Sequence, residues 1–271
     1  MEFLLACQVY RSKARMFLMS FSIGFLTVHW YGLVISLSIL VSYLFARFYA
    51  KYFGLKKEIV DDLALILVPT GVIGARIYHV LDHWQYYINY PLQVFAIWQG
   101  GIGIWGALIF GLLACILYLR VRKITIFPAL DLLAIATVLG QTLGRFGNFL
   151  NHEAFGPPTN LPTKIYIPPE FRPPGFSEYS FFHPTFFYEA FWDFLVFVLL
   201  LFVAMKFRKR AGVIFASYLV LYGAGRFFLE FLRIDTWTAG GIKVAQILSF
   251  FSVLAGIVLF QARNSRHLCR R

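Results

Sequence analysis

The sequence predicts an all-α integral membrane protein with seven transmembrane helices and a small, loop-rich head outside the bilayer. Three observations carry that expectation. Of the 271 residues, 59% are hydrophobic and only 14% are charged, whereas a soluble domain is roughly half apolar and about a quarter charged. The apolar residues fall into seven stretches, each long enough for the about 20 residues a spanning helix needs. One long stretch, Gly156 to Pro184, is too rich in proline to be a membrane helix.

Taken in order, the spans are expected at Trp30–Ala50, Leu63–Leu81, Ile97–Leu119, Pro128–Phe146, Phe186–Met205, Val213–Phe231 and Val244–Ala262. The fourth is interrupted by Asp131, Gln141 and Arg145. Lys51, Lys56 and Lys57 follow the first span, and Arg120, Arg122 and Lys123 follow the third. Lys206, Arg208, Lys209 and Arg210 follow the fifth, and Arg263, Arg266, Arg270 and Arg271 close the chain. Basic residues mark cytoplasmic ends, so the N-terminus is expected outside and the C-terminus inside. The whole chain, 1–271, reads as one membrane domain, with 1–29 as a surface arm and 152–185 as an extracytoplasmic head. Arg11, Lys13 and Arg15 run against the topology, which suggests that the arm lies on the membrane surface.

The net charge of +12 raises the question of nucleic acid. Its gathering at the ends of apolar runs is a topology signal instead, so no nucleic-acid partner is expected. Cys7, Cys115 and Cys269 have neither metal-ligand spacing nor an obvious disulfide mate, so no structural disulfide or zinc site is implied.

Charges inside apolar surroundings are more informative. An arginine at the centre of a spanning helix costs about 2.5–3.5 kcal/mol even on insertion scales. Arg76, Arg145, Arg226, Glu230 and Arg233 lie within or at the outer ends of even-numbered spans. Arg226 and Glu230 are one turn apart and can pair, which would lock helices together. The arginines outnumber the carboxylates near them in sequence, so an outside anion is expected to complete the balance. A lipid phosphate suits the guanidinium fork. In Gly144–Gly156, GRFGNFLNHEAFG, Asn148 stands one turn from Arg145, followed by Asn151, His152 and Glu153. His152 reads as a possible base or as a solvated interfacial residue. His29 and Tyr31 read as an aromatic belt or as site residues.

GRFGNFLNHEAFG closely resembles the signature of the prolipoprotein diacylglyceryl transferase family. The likeness runs along almost the whole chain through HWYGL (His29–Leu33), GARIYHVL (Gly74–Leu81), IWQGGIGIWG (Ile97–Gly106), HPTFFYE (His183–Glu189), GRFFLEFLR (Gly225–Arg233) and QILS (Gln246–Ser249). The resemblance implies a seven-helix enzyme of the bacterial inner membrane that needs no metal or organic cofactor. It would move diacylglyceryl from phosphatidylglycerol to the lipobox cysteine of a preprolipoprotein signal peptide, releasing glycerol phosphate. Carried over, the catalytic positions are Tyr31, Arg145, Asn148, Glu153, Arg226 and Glu230. Substrate-binding positions are Arg145, Arg226, Arg233, Asn148, Gly156, Arg76 and His29. His183, Tyr188 and Glu189 match further motif positions. One departure stands out: Trp105 occupies a position where many members carry His and others Tyr, and an indole cannot accept a proton. A lipid or anionic-solute transporter, or an inactive homologue that binds phosphatidylglycerol, would use the same buried arginines.

Overall fold

The computed structural model describes residues 20–23, 26–207, 209–234 and 236–268. Arg11, Lys13 and Arg15 of the expected surface arm lie outside these residues, as do Cys7, Arg208, Cys269, Arg270 and Arg271. The described part of that arm forms two strands: β1 (Ser20–Ile23) and β2 (Leu26–His29) pair antiparallel, with Ser20 opposite His29. The long helices are α1 (Trp30–Tyr49), α2 (Lys57–Asp82), α4 (Ile104–Val121), α5 (Ile126–Leu150), α6 (Thr185–Phe207), α7 (Val213–Leu229) and α8 (Val244–Leu268), with a short α3 (Trp84–Asn89) after α2. Seven of them are long and apolar enough to cross a membrane, and the all-α membrane fold is as expected. Many large apolar side chains, among them Leu65, Leu117, Phe191 and Val258, are exposed. Lipid is the solvent that suits them.

The described chain divides into two compact units, one holding the chain up to Phe45 and from Asp131 onward, the other Ala46 to Leu130. In the larger unit, α1 lies along a stripe of glycines on α5. A Cβ on Gly147 would sit 3.0 Å from the Tyr31 ring, and one on Gly140 would sit 2.6 Å from the Ser42 hydroxyl. Small residues let membrane helices approach this closely. The joint between α6 and α7 is tighter. The Trp192 indole donates to the Leu221 carbonyl at 3.1 Å and covers Gly225, where any Cβ would collide with the ring.

Asp131 explains its own presence in an apolar helix. Its carboxylate accepts from the backbone N–H of Gly212 at 2.6 Å and of Phe215 at 2.7 Å. It therefore caps the N-terminus of α7 from another helix, satisfying donors that have no partner within α7.

The loop between α5 and α6 has an apolar cluster of its own, in which Phe155, Ile167, Phe182 and Phe186 are buried with Ala154. A two-residue pairing, β3 (Ile165–Tyr166) with β4 (Phe181–Phe182), ties the loop together. The Arg172 guanidinium holds the carbonyls of Ile167 and Ser177.

The smaller unit is built on α2 and α4, which meet where Gly106 lies against the Gly74 carbonyl with no room for a Cβ. Here the third span differs from expectation: α4 begins at Ile104, seven residues after Ile97. Gly100 and Gly101 have φ of 89° and 75°, left-handed values that break a right-handed helix and favour glycine. The break is held by Arg76, whose guanidinium donates to the carbonyls of Gln93 (2.5 Å), Val94 (2.8 Å), Ala96 (3.4 Å), Gly100 (2.7 Å) and Gly101 (3.0 Å).

Candidate functional site

The polar end of α5 sets the first part of the site. The helix stops with His152 left-handed (φ 49°). The His152 N–H reaches Phe149 O at 3.2 Å, and the Glu153 N–H reaches Asn148 O at 3.0 Å. This paired closure is the Schellman motif, and it folds Glu153 back over the last turn. Its carboxylate then accepts from Asn148 Nδ2 at 2.7 Å. Asn148 is thereby oriented on the face that also carries Arg145 and the Tyr31 ring. The His152 ring packs at a tilt against Phe171 of the loop, with centroids 4.8 Å apart. Burial lowers its pKa below the usual histidine value, against a smaller opposing pull from Glu170, so the ring is neutral at pH 7.

Arg145 near the end of α5, Arg226 in the last turn of α7 and Arg233 just beyond it converge on one carboxylate in the first turns of α6. Glu189 lies 2.5 Å from Arg145 Nη1, 3.0 Å from Arg226 Nη1 and 3.6 Å from Arg233 Nη1. One turn further along α6, Asp193 lies 3.6 Å from Arg145 Nε. Arg226 Nη2 also pairs with Glu230 at 2.8 Å, and Glu230 accepts a hydrogen bond from the Thr236 hydroxyl. Lys243 closes the turn behind them, donating to the carbonyls of Glu230 (2.6 Å) and Arg233 (2.7 Å).

The expectation that arginines outnumber their carboxylates is therefore corrected. Three guanidinium groups meet three carboxylates, because Glu189 and Asp193 arrive from a helix distant in sequence. The charges are nevertheless layered. The arginine side chains keep 14–20% of their surface accessible, whereas Glu189, Asp193 and Glu230 keep 0–3%. In its carboxylate pairs Arg145 uses Nη1 and Nε, leaving the Nη2 edge outside them.

The remaining expected residues divide. Glu230 pairs with Arg226, one turn away on the same stretch. Tyr31 and Asn148 flank Arg145, and His29 is exposed at the end of β2. Gly156 has a packing reason to be glycine: a Cβ there would stand 2.7 Å from the Leu232 carbonyl and 2.8 Å from Thr185 Cγ2. His183 Nδ1 lies 3.4 Å from the Tyr188 hydroxyl, which is in turn 3.2 Å from that of Thr163. The Arg76 guanidinium donates to five carbonyls of its own unit, none of them a partner of the Arg145 cluster. Trp105, half-buried, is the second residue of α4. Asp193 and Lys243 went unread in the sequence. Glu189 and Asp193, two acids four apart in an apolar helix, were the available signal, since ionisable residues in spans face partners.

Fold and site together define a polytopic membrane protein with a cluster of paired arginines and buried carboxylates. The family model described as prolipoprotein diacylglyceryl transferase matches residues 18–262, and the chain belongs to that family. It is similar to the phosphatidylglycerol–prolipoprotein diacylglyceryl transferase of Acaryochloris marina, with 40% identity over 88% of this chain and 87% of the relative. The protein of the same name from Thermotoga maritima is 42% identical over 89% and 82%. That of Trichormus variabilis is 41% identical over 87% and 85%.

Proposed function

We propose that this protein transfers the diacylglyceryl group of phosphatidylglycerol to the lipobox cysteine of a preprolipoprotein. The observation that carries the reading is the ion cluster, in which three arginines whose side chains stay partly accessible meet three buried carboxylates. The thiolate sulfur attacks the terminal glyceryl carbon bonded to phosphate oxygen, because the thiol form is a poor nucleophile. A C–S bond forms as the C–O bond breaks, the thiol proton leaves to a base, and glycerol phosphate departs. Negative charge thus moves from sulfur to phosphate oxygen. Arg145 and Arg226 hold that phosphate, Arg233 supports them, and preorganised donors in a water-poor site stabilise the charge as it develops. Asn148, held by Glu153, orients the head group. Tyr31, Glu153 and His29 are the groups placed for proton handling, since the Trp105 indole has no acceptor nitrogen.

The basic clusters after odd-numbered spans support a topology with the C-terminus in the cytoplasm and the loop 152–185 as a head outside the bacterial inner membrane. The chain then works as a single membrane domain. The purified protein in phosphatidylglycerol vesicles with a lipobox peptide is expected to yield diacylglyceryl peptide and glycerol phosphate in equal amounts. Lipid movement across the vesicle without modified peptide would replace this reading with a transporter.

A further inference from the structure

We propose that Glu189 is the positioning residue of the site, the single carboxylate that gathers Arg145, Arg226 and Arg233 into one anion-facing fan. The inference rests on the transferase reading for its catalytic consequence, but its geometry stands alone. Of the three carboxylates, Glu189 alone reaches all three guanidinium groups, at 2.5, 3.0 and 3.6 Å. Glu230 reaches Arg226 and Asp193 reaches Arg145. With 2% of its side chain accessible, Glu189 is itself shielded from a substrate, so it acts through the arginines.

Its depth in α6 is fixed from both sides. The helix opens at Thr185, whose hydroxyl donates to the Ala154 carbonyl at 2.5 Å and so registers α6 against the end of α5 that carries Arg145. Three residues beyond Glu189, Trp192 clamps α6 to α7 through the Leu221 carbonyl and the bare face of Gly225, one residue from Arg226. The carboxylate therefore sits where both arginine-bearing helices are pinned. Three guanidinium groups close together repel one another. A shared anion behind them draws their forks together while leaving outward N–H donors for a phosphate.

The test compares Glu189→Gln, which keeps shape and loses charge, with Glu189→Asp, which keeps charge on a shorter arm. Glu178→Gln, an exposed carboxylate of the loop, controls for charge loss alone. Each protein is extracted from vesicles of equimolar phosphatidylglycerol and phosphatidylcholine. Co-purified lipid, thermal midpoint, kcat and KM are then measured. Wild type and Glu178→Gln are expected to retain phosphatidylglycerol preferentially. Glu189→Gln is expected to fold with a lowered thermal midpoint, to lose that preference, to raise KM for the lipid at least tenfold and to lower kcat. Glu189→Asp is expected to regain at least a tenth of wild-type kcat/KM. Wild-type lipid preference and kinetics in folded Glu189→Gln overturn the proposal. Should Glu189→Gln not fold, wild-type KM and lipid preference in Glu189→Asp overturn it, since the shorter arm cannot hold all three partners. A wild-type protein inactive on peptide, whose lipid preference nevertheless depends on Glu189, removes the transferase reading and leaves this one standing.

Discussion

Arg145 and Arg226 are each tied to carboxylates by two of their nitrogens, so their replacement tests catalysis and packing together. Arg145→Lys and Arg226→Lys retain charge but lose the fork, and two-point recognition of phosphate needs the fork. Each is expected to lower kcat/KM at least a hundredfold while the protein still purifies as a folded species, measured with the peptide assay. Full turnover in either variant would release that arginine from the phosphate role. Trp105→His is expected to fold and to keep or raise activity, because it adds an acceptor nitrogen where the indole has none. A folded, inactive variant would place the indole itself in the working site. At this scale the sequence was legible for one partner of each pair. Arg145, Arg226 and Glu230 announced themselves as charges in apolar runs. Glu189 was noticed only through its motif, and Asp193 passed unseen, because pairing between α5, α6 and α7 is decided by contacts across about 40 residues of chain that no local pattern encodes. Arg76 shows what else the same sequence signal, a buried arginine near glycines, can mark: its guanidinium donates to carbonyls of a broken helix.

Helix ends carry the next set of consequences. Asp131 caps α7 with two backbone contacts while 1% accessible, so Asp131→Ala strands two N–H groups in a buried place. Loss of a cap costs about 0.5–2 kcal/mol, and unsatisfied buried donors add to it. A lowered thermal midpoint is expected, and an unchanged one would show that water replaces the cap. At the other end of α5, His152 is held neutral by partial burial. A histidine whose folded pKa lies below its unfolded value contributes stability at higher pH, lost as acidification passes the unfolded value near 6.5. The loop 151–184 is expected to become more protease-sensitive as pH falls below about 6.5, and His152→Asn, which tolerates the left-handed backbone, is expected to flatten that dependence. An identical pH profile in both proteins would remove His152 as the cause. Six of the seven spans were legible to within a turn or two. The third began late because its glycine-rich opening is apolar enough to count as helix, although Arg76 turns its carbonyls sideways.

For the molecule as a whole, the membrane class was the plainest feature of the sequence, since composition and length alone exclude a soluble core. The charge balance of the site was the least plain, because Glu189 and Asp193 reach the arginines from a helix distant in sequence. Stability of the assembled protein is expected to reflect the balance. Removing one acid from a buried pair costs about 3–5 kcal/mol, whereas removing an acid together with its arginine leaves no uncompensated charge. The double variant Asp193→Asn with Arg145→Gln is expected to melt above Asp193→Asn alone, though inactive. A midpoint at or below that of the single variant would show that the pair contributes nothing to stability.

The ion cluster also bears on how the chain is made. Arg145, Glu189, Asp193 and Arg226 are each unwelcome in hydrocarbon, at about 2.5–3.5 kcal/mol for arginine or aspartate at mid-span, and each becomes acceptable only beside its counterparts. The hydrophobic segment bearing two acids can settle in lipid stably once the arginine-bearing segments before and after it are at hand. Biogenesis of this region is then a concerted event, in which three helices enter the bilayer as partners instead of one after another.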